Sequence, residues 1–368
     1  MRTFLSRIVS LLYILSLFSF LQRIDSVSKT DSSLFYFNLL AYVALFVFSF
    51  KRLQQERILL VLFFTQCLIL FFIILYRGTL SGASLVPFFS INLQSLICYC
   101  ASLKRKDYLW IMISFLLFSL YFSAFNVMYL NSNNVGFIWI CIGIYIILLI
   151  PASNLLNYFF IGIVFVIISS FILMSESRSS LLAFGLFIIG KLMPLRFFTG
   201  KEKLYKLLCL MLTFGSLLYM QLYVFLFASN IDMNQIFSFF PSTKNFFSGR
   251  QVIWLEAFSQ LFDKPLTGVG GVYELITSDL NELHNSIFCL YFYFGFIVAT
   301  FILILINKIL FDAYDYMKKN TYVKDGIFSF LSFLLLSFNE NSLIAFSVCF
   351  LGLFIAYSEI NKYKYIDQ

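Results

Sequence analysis

The side chains best suited to chemistry in this sequence are its only histidine, His284, and two arginines, Arg178 and Arg250. His284 ends the longest polar interval of a very apolar chain and stands just before an apolar run. A neutral imidazole there can serve as a general base on a sugar hydroxyl, although a lone histidine more often has a structural role. The arginines suit an anion, because the guanidinium fork matches pairs of phosphate oxygens. These residue types indicate a phosphate-bearing donor and a hydroxyl acceptor.

The segment around Arg250 predicts an amphipathic helix over residues 249–262. Ser248 is a suitable N-cap residue, and Gln251 completes a capping box with it. Pro265 marks the end of the helix, because proline cannot continue it. Helical spacing places three apolar side chains on one face, namely those of Ile253, Ala257 and Leu261.

Arg250 lies in the first turn of this predicted helix, where the helix dipole disfavours a positive charge. A bound anion near Arg250 and the free N–H groups would offset this effect, since helix N-termini favour phosphate. The alternative is a solvated arginine without a ligand. Trp254, on the same helix, suits the membrane interface. The segment is therefore predicted to present Arg250 at a bilayer surface.

Arg178 lies within Ser175-Glu-Ser-Arg-Ser-Ser180, a short polar interval between two apolar runs. A charge this close to membrane depth is costly and usually faces a cavity or a partner. A salt bridge with Glu176 would account for it without a ligand. Two arginines and helix ends on one membrane face would suit a diphosphate, so Arg178 and Arg250 are predicted to bind one together.

Supporting roles are predicted for five further residues: Glu282, Asn285, Asn131, Gly268 and Gly270. Glu282 can orient His284 if the segment between them is extended, and Asn285 adjoins the histidine. Asn131 opens a polar interval before an apolar run, where the alternative is a plain turn. The two glycines permit a tight turn with positive φ, which by itself is weak evidence for a phosphate-binding loop.

The sequence gives no sign of a metal ion or another cofactor. It contains no Asp-x-Asp pair, no carboxylate cluster at metal-ligand spacing and no nucleotide-binding Walker motif. All seven cysteines fall inside apolar runs, where a free cysteine acts as a small hydrophobe. We therefore expect neither a metal site nor a disulfide.

The elements that must position these residues are membrane helices. Hydrophobic residues make up 61% of the 368-residue chain and charged residues only 12%. A soluble domain is about a quarter charged, and continuous apolar runs of roughly 18 residues or more are typical of membrane spans. The net charge of +8 is better explained by loops at the cytoplasmic face than by nucleic acid, which we exclude as a partner.

The sequence predicts an all-α, polytopic membrane bundle of about twelve transmembrane helices in a single domain, residues 1–368. The predicted spans are 8–21, 34–50, 58–75, 85–101, 108–125, 135–150, 155–174, 180–195, 207–227, 286–306, 326–338 and 342–357. Most of the 26 Lys and Arg residues then fall on one side, which places both termini in the cytoplasm. One long outer loop, residues 228–285, carries short helices and most of the candidate residues.

Five short motifs in this order resemble those of the O-antigen polymerase and O-antigen ligase superfamily, which are integral-membrane glycosyltransferases. They are Asn131-Ser-Asn-Asn-Val-Gly136, Ser175-Glu-Ser-Arg-Ser-Ser180, Ser248-Gly-Arg-Gln-Val-Ile-Trp254, Lys264-Pro-Leu-Thr-Gly-Val-Gly270, and His284-Asn285 with Gly295. The resemblance covers residues 131–295. Ser132 departs from the family's pattern, which often has proline at that position.

The resemblance implies a metal-independent glycosyltransferase of the GT-C type at the outer, periplasmic face of the bacterial inner membrane. Its donor and acceptor would be undecaprenyl-diphosphate-linked glycans, and a chain-length regulator protein is a further partner that it admits. Arg178 and Arg250 would bind the donor diphosphate, and His284 would activate or position the acceptor hydroxyl.

The function we expect is therefore a polymerase of surface-polysaccharide repeats. The first alternative is the ligase, which uses the same donor but transfers the glycan to lipid A core. The second is a flippase or transporter of lipid-linked oligosaccharides, which should have short loops throughout and ionisable residues inside its spans.

Overall fold

The computed structural model describes residues 32–77, 82–101, 104–126, 132–228, 250–271, 273–276, 283–341, 343 and 347–364. Over these ranges the chain forms α-helices and two short 3-10 helices, and no β-strand occurs among them. The all-α prediction is therefore confirmed for the part of the chain that is described. The first predicted span, 8–21, lies outside these residues.

Most of the α-helices coincide with apolar runs of the sequence. In chain order they are α1 Ser32–Leu53, α2 Arg57–Arg77, α3 Gly82–Tyr99, α4 Arg105–Asn126, α5 Ser132–Leu149, α6 Leu155–Met174, α7 Arg178–Leu192, α8 Glu202–Ala228, α9 Arg250–Asp263, α10 Ser286–Asp312, α11 Tyr314–Met317, α12 Thr321–Leu336 and α13 Leu351–Lys364. The 3-10 helices are Leu195–Phe198 and Ser347–Phe350.

Four stretches of the described chain are helical, long and apolar enough to cross a membrane: Arg57–Tyr76, Leu155–Met174, Glu202–Phe227 and Ser286–Met317. The α6 helix coincides with its predicted span because Asn154 caps its start, its Oδ1 accepting from Asn157 N. The last predicted span, 342–357, differs in its bounds from the helix described there. A 3-10 turn leads into α13, which continues to Lys364.

The helix α12 is the centre of the bundle, with α7 and α13 packed along it. Gly326 of α12 and Gly352 of α13 bring the two backbones into close contact: a Cβ on either glycine would lie 2.5 Å from the other's carbonyl oxygen. At the other flank, Gly190 of α7 receives the ring of Phe328. Small residues thus set the spacing of this central layer.

A buried ion pair joins α7 and α12 at the predicted inner end. Lys191 Nζ lies 2.6 Å from Asp325 Oδ2, and the two side chains are 1% and 4% exposed. Lys324 Nζ donates to the carbonyl oxygens of Lys191 and Met193, at 2.8 and 2.7 Å, and so caps the C-terminus of α7. The two helices are therefore antiparallel, and the start of α7 lies at the end of the bundle where α12 terminates.

The helix α10 is broken at Gly295, whose φ and ψ of 75° and 176° are not helical. The segment after α9 completes the broken ladder. Phe296 N donates to Pro265 O at 2.8 Å, and Val269 N donates to Phe292 O at 2.5 Å. A break within a membrane helix is tolerated only where its backbone groups are satisfied in this way.

Candidate functional site

The helix α9 carries Arg250 and is fixed to the bundle by Trp254. It begins at Arg250 and ends at Asp263, so its predicted C-terminus is confirmed. Trp254 is not at a lipid interface but fully buried, between the rings of Tyr219 and Tyr223 of α8. Its indole N–H donates to Leu283 O at 2.7 Å. This bond joins the helix of Arg250 to the residue that precedes His284.

The buried face of α9 differs slightly from the predicted one. Ala257 and Leu261 are buried as expected, but the third apolar side chain at the centre is that of Trp254, while Ile253 is only half-buried. The N-cap predicted at Ser248 lies outside the described residues. The contact face is therefore rotated by one position, from Ile253 to Trp254.

Arg250 is a paired cation rather than a freely solvated one. Its Nη2 lies 3.0 Å from Glu340 Oε1, and its Nη1 donates to Asn339 Oδ1 at 3.3 Å. Tyr219 O–H donates to the same Asn339 oxygen at 2.8 Å. The Arg250 and Glu340 side chains are 15% and 14% exposed, so solvent still reaches the pair.

Glu340 is a site residue that the sequence reasoning missed. It lies in the turn between α12 and α13, at the same end of the bundle as Arg250. A signal was present, since the polar group Asn339-Glu340 interrupts apolar sequence on the predicted outer side. Nothing in a single sequence, however, indicates that Glu340 meets an arginine 90 positions earlier.

His284 lies in this same region, and two effects suppress its charge. Burial lowers its pKa, and the nearby positive charge of Arg250 lowers it further, to about 4. The imidazole is therefore neutral at neutral pH and can accept a hydrogen bond, but it is a weak base. Its φ of 51° is uncommon for a non-glycine residue, and the surrounding contacts hold it there. Glu282, predicted to orient His284, lies outside the described residues.

Asn285 has a structural role and is not available to a ligand. It is fully buried and caps α10, its Oδ1 accepting from Phe288 N and from Ser216 Oγ, both at 2.8 Å. Its Nδ2 donates to Phe338 O at 2.9 Å. Asn285 thus fixes the backbone beside His284 and joins α8, α10 and the turn after α12, and its predicted supporting role in the reaction stays a prediction.

The turn that carries Glu340 is also held by the start of α10. Ser286 N donates to Ser337 O at 2.9 Å, and Ser286 Oγ donates to Glu340 O at 2.8 Å. Leu343 N donates in turn to Ser286 Oγ at 3.0 Å. The backbone of this turn is therefore fixed, while the Glu340 side chain extends from it to Arg250.

Gly268 and Gly270 build the helix break and do not form a phosphate cradle. Their φ angles are 70° and 101°, as the sequence predicts for a tight turn. Their amide groups are already used: Gly268 N donates to Lys264 O, and Gly270 N shares Phe292 O with Val269 N. A Cβ on Gly268 would lie 2.4 Å from Gly295 N. The close contact between these two residues, Gly268 and Gly295, therefore requires glycine at both positions.

Arg178 stands at the first position of α7 and is half-buried. Gly136 of α5 packs directly against Ser177, since a Cβ there would lie 2.3 Å from Ser177 Cβ. Residues 132–136 of the polar interval are therefore helical, because α5 begins at Ser132, and Asn131 lies outside the described residues. Arg178 and Arg250 share the predicted outer end, and their convergence on one ligand stays a prediction.

The described part of this end of the bundle brings together a guanidinium, a carboxylate, a neutral imidazole and the Tyr219 hydroxyl. This set can bind an anion and align a hydroxyl group. Among the described residues, no group of three or more His, Cys, Asp or Glu side chains is placed to hold a metal ion. All seven cysteines are free. No protein-family model matches this chain, and no curated protein or solved structure matches it either.

Proposed function

We propose that this protein polymerises surface-polysaccharide repeats by glycosyl transfer between undecaprenyl-diphosphate-linked oligosaccharides. The observation that carries the proposal is the position of Arg250 beside His284, with Trp254 bonded to Leu283 between them. An anion-binding guanidinium and a neutral imidazole are the two groups that such a transfer needs close together. The five sequence motifs that resemble the O-antigen polymerase and ligase superfamily support the same assignment.

The proposed reaction forms one glycosidic bond and breaks one bond to phosphate. The acceptor hydroxyl attacks the anomeric carbon of the donor, and inversion follows from attack opposite the leaving group. Undecaprenyl diphosphate leaves with the bonding electron pair, and Arg250 with Arg178 stabilises its charge. Because the pKa of His284 is low, this imidazole positions the hydroxyl by accepting its hydrogen bond, and the proton released as the glycosidic bond forms passes to the departing diphosphate, which is the stronger base.

The proposal includes a bacterial inner-membrane location, about twelve spans in a GT-C-like arrangement, both termini in the cytoplasm and the site facing the periplasm. Four long apolar helices and the shorter apolar helices Leu85–Tyr99 and Asn133–Leu149 support membrane insertion. The candidate residues lie at the end of the bundle that is opposite to Lys191 and Lys324. The basic residues at that inner end agree with the orientation predicted from loop charge.

The transporter alternative has one observation in its favour, the buried pair of Lys191 and Asp325. Ionisable groups at membrane depth often mark a transport path. Here, however, Lys324 caps α7 and Asp325 balances Lys191, so the group is explained as a joint between two helices. The ligase alternative shares the donor site, and the acceptor alone distinguishes it from the polymerase.

The test is reconstitution of the purified protein in vesicles with a lipid-linked repeat. Longer lipid-linked glycans identify a polymerase, products only on lipid A core identify a ligase, and movement of the lipid across the bilayer without new bonds identifies a transporter. Arg250→Lys should lower kcat/KM by about tenfold or more, because lysine lacks the fork. Lys264→Gln, an exposed cation on the same loop, is the matched control. Full turnover in both variants would reject the role of Arg250.

A further inference from the structure

The ion pair of Glu340 and Arg250 differs in exposure from the buried pair of Lys191 and Asp325. Lys191 and Asp325 are 1% and 4% exposed, and Lys191 donates at 2.6 Å. Arg250 and Glu340 are 15% and 14% exposed, and Nη2 lies 3.0 Å from Oε1. A partly solvated ion pair is screened by water, so it is weaker than a two-pronged arrangement of arginine with phosphate oxygens away from water.

We propose that Glu340 is an internal competitor for the donor site: its carboxylate occupies the place on Arg250 that a lipid-linked diphosphate takes. The inference rests on the proposed function, and it adds a residue that sets the affinity and selectivity of the site. A diphosphate carries more charge and more acceptor oxygens than a carboxylate, so it displaces Glu340 from Arg250. A monophosphate carries less charge and displaces Glu340 less well.

The surrounding contacts allow this exchange without a change in the backbone. Ser286 holds the main chain of the turn through Ser337 O and Glu340 O, so only the Glu340 side chain has to rotate. Asn339 keeps its bond to Arg250 Nη1, because Tyr219 O–H fixes the Asn339 oxygen at 2.8 Å. Arg250 thus stays oriented while its carboxylate partner is exchanged for an anion.

The same contact gives the site a means of releasing its product. Undecaprenyl diphosphate leaves the reaction bound to Arg250, and a strongly bound leaving group would slow turnover. When Glu340 returns to Arg250, it restores the charge balance and repels the bound diphosphate. Glu340 therefore favours release of the leaving group and weakens its binding. Removal of the Glu340 carboxylate should thus strengthen diphosphate binding and slow product release.

The experiment measures binding of farnesyl diphosphate, a short polyprenyl diphosphate, to the full chain in detergent. Trp254 follows Arg250 by one helical turn, so its fluorescence reports on the site once Trp110→Phe and Trp139→Phe remove the other two tryptophans. Farnesyl monophosphate serves as the competitor of lower charge. Thermal unfolding of each variant checks that the bundle is intact.

Glu340→Gln should bind farnesyl diphosphate about tenfold more tightly, because the competing carboxylate and its repulsion are both removed. Its preference for diphosphate over monophosphate should narrow, and its turnover should fall through slower release. Glu340→Asp keeps the charge but shortens the side chain. Its affinity for farnesyl diphosphate should therefore lie between that of the parent protein and that of Glu340→Gln. Glu274→Gln removes an exposed carboxylate from the same loop and should leave binding unchanged.

Two results separate the possible failures. Unchanged or weaker binding in Glu340→Gln, with binding that still requires Arg250, would overturn the competitor role and leave the donor site in place. Equal binding by the parent protein and Arg250→Gln, or no binding by either, would overturn the donor site itself and the competitor role with it.

Discussion

Addition of a single methyl group at the helix break, in the variant Gly295→Ala, should destabilise the protein strongly. In Gly295→Ala the added Cβ would lie 2.3 Å from Leu266 O, and alanine would have to adopt a φ of 75° with a ψ of 176°. This backbone region is essentially restricted to glycine and costs about 1–3 kcal/mol in other residues. Relief of the clash would separate the 265–270 turn from α10.

That separation breaks the bonds from Phe296 N to Pro265 O and from Val269 N to Phe292 O. A buried group that loses its partner costs about 1–3 kcal/mol, and two bonds are involved. With the backbone strain, Gly295→Ala should lower the free energy of unfolding by about 4 kcal/mol or more. It should also move Arg250, since the 265–270 turn continues directly from α9. His284 should move as well, because it lies just before the first half of α10, which ends at the break.

Thermal unfolding in detergent, followed by size-exclusion chromatography of the soluble fraction, measures the effect. Hydrogen exchange over residues 265–270 reports on the turn itself, which should lose protection. The matched control is Gly185→Ala in α7, where an added Cβ meets nothing within 4 Å and alanine should stabilise the helix by up to ~1 kcal/mol. If both variants unfold at the same temperature, the account of the break is wrong.

Two further predictions concern charge. The pKa of His284 is about 4 in the folded protein and near 6.5 when unfolded, so stability should be full above pH 6.5 and fall by about 3 kcal/mol towards pH 4; His284→Gln should remove this slope, and the chain has no other histidine to obscure it. Asp325→Asn should cost about 3–5 kcal/mol because Lys191 stays buried without its counter-charge. Asp315→Asn, in an exposed pair with Lys318, is the matched control and should leave the unfolding midpoint nearly unchanged.

Both comparisons use unfolding midpoints in detergent as the measurement. Parallel pH curves for the parent protein and His284→Gln would show that the histidine does not titrate as described. For the buried pair, the double variant Lys191→Met with Asp325→Leu should recover part of the loss, since Lys191 is no longer left unpaired, while Lys324, 3.5 Å from Asp325 Oδ1, still loses its carboxylate. A double variant as unstable as Asp325→Asn alone would mean that the pair itself supplies the stability.

The helices could be predicted from the sequence because each apolar run is long and bounded by polar residues. The α6 helix illustrates this, with Asn154 as its cap and Ser175 directly after its end. The end of α9 before Lys264-Pro265 followed from the same reasoning. Such signals are local, since they depend on side chains that bond or break the backbone within one turn.

The pairing of the helices could not be predicted in this way. A helix that is apolar all round gives no preferred face, so the sequence did not indicate that Gly326 meets Gly352. On the amphipathic α9 the predicted face was shifted by one position, so the burial of Trp254 was missed as well. The break of α10 was equally hidden, because it contains no proline and depends on a turn that arrives from elsewhere in the chain. Burial of Lys191 with Asp325 was also missed, since both lie near the ends of apolar runs.

The start of α10 explains why residues from three distant positions form one site. Leu283, just before it, holds α9 and therefore Arg250 through Trp254. Ser286, the first residue of α10, holds the turn that carries Glu340. His284 lies between these two anchors, so its position relative to the guanidinium and the carboxylate is set by main-chain bonds on either side. A substitution that frees either anchor should thus disturb all three side chains together, which distinguishes a built site from three independent polar residues.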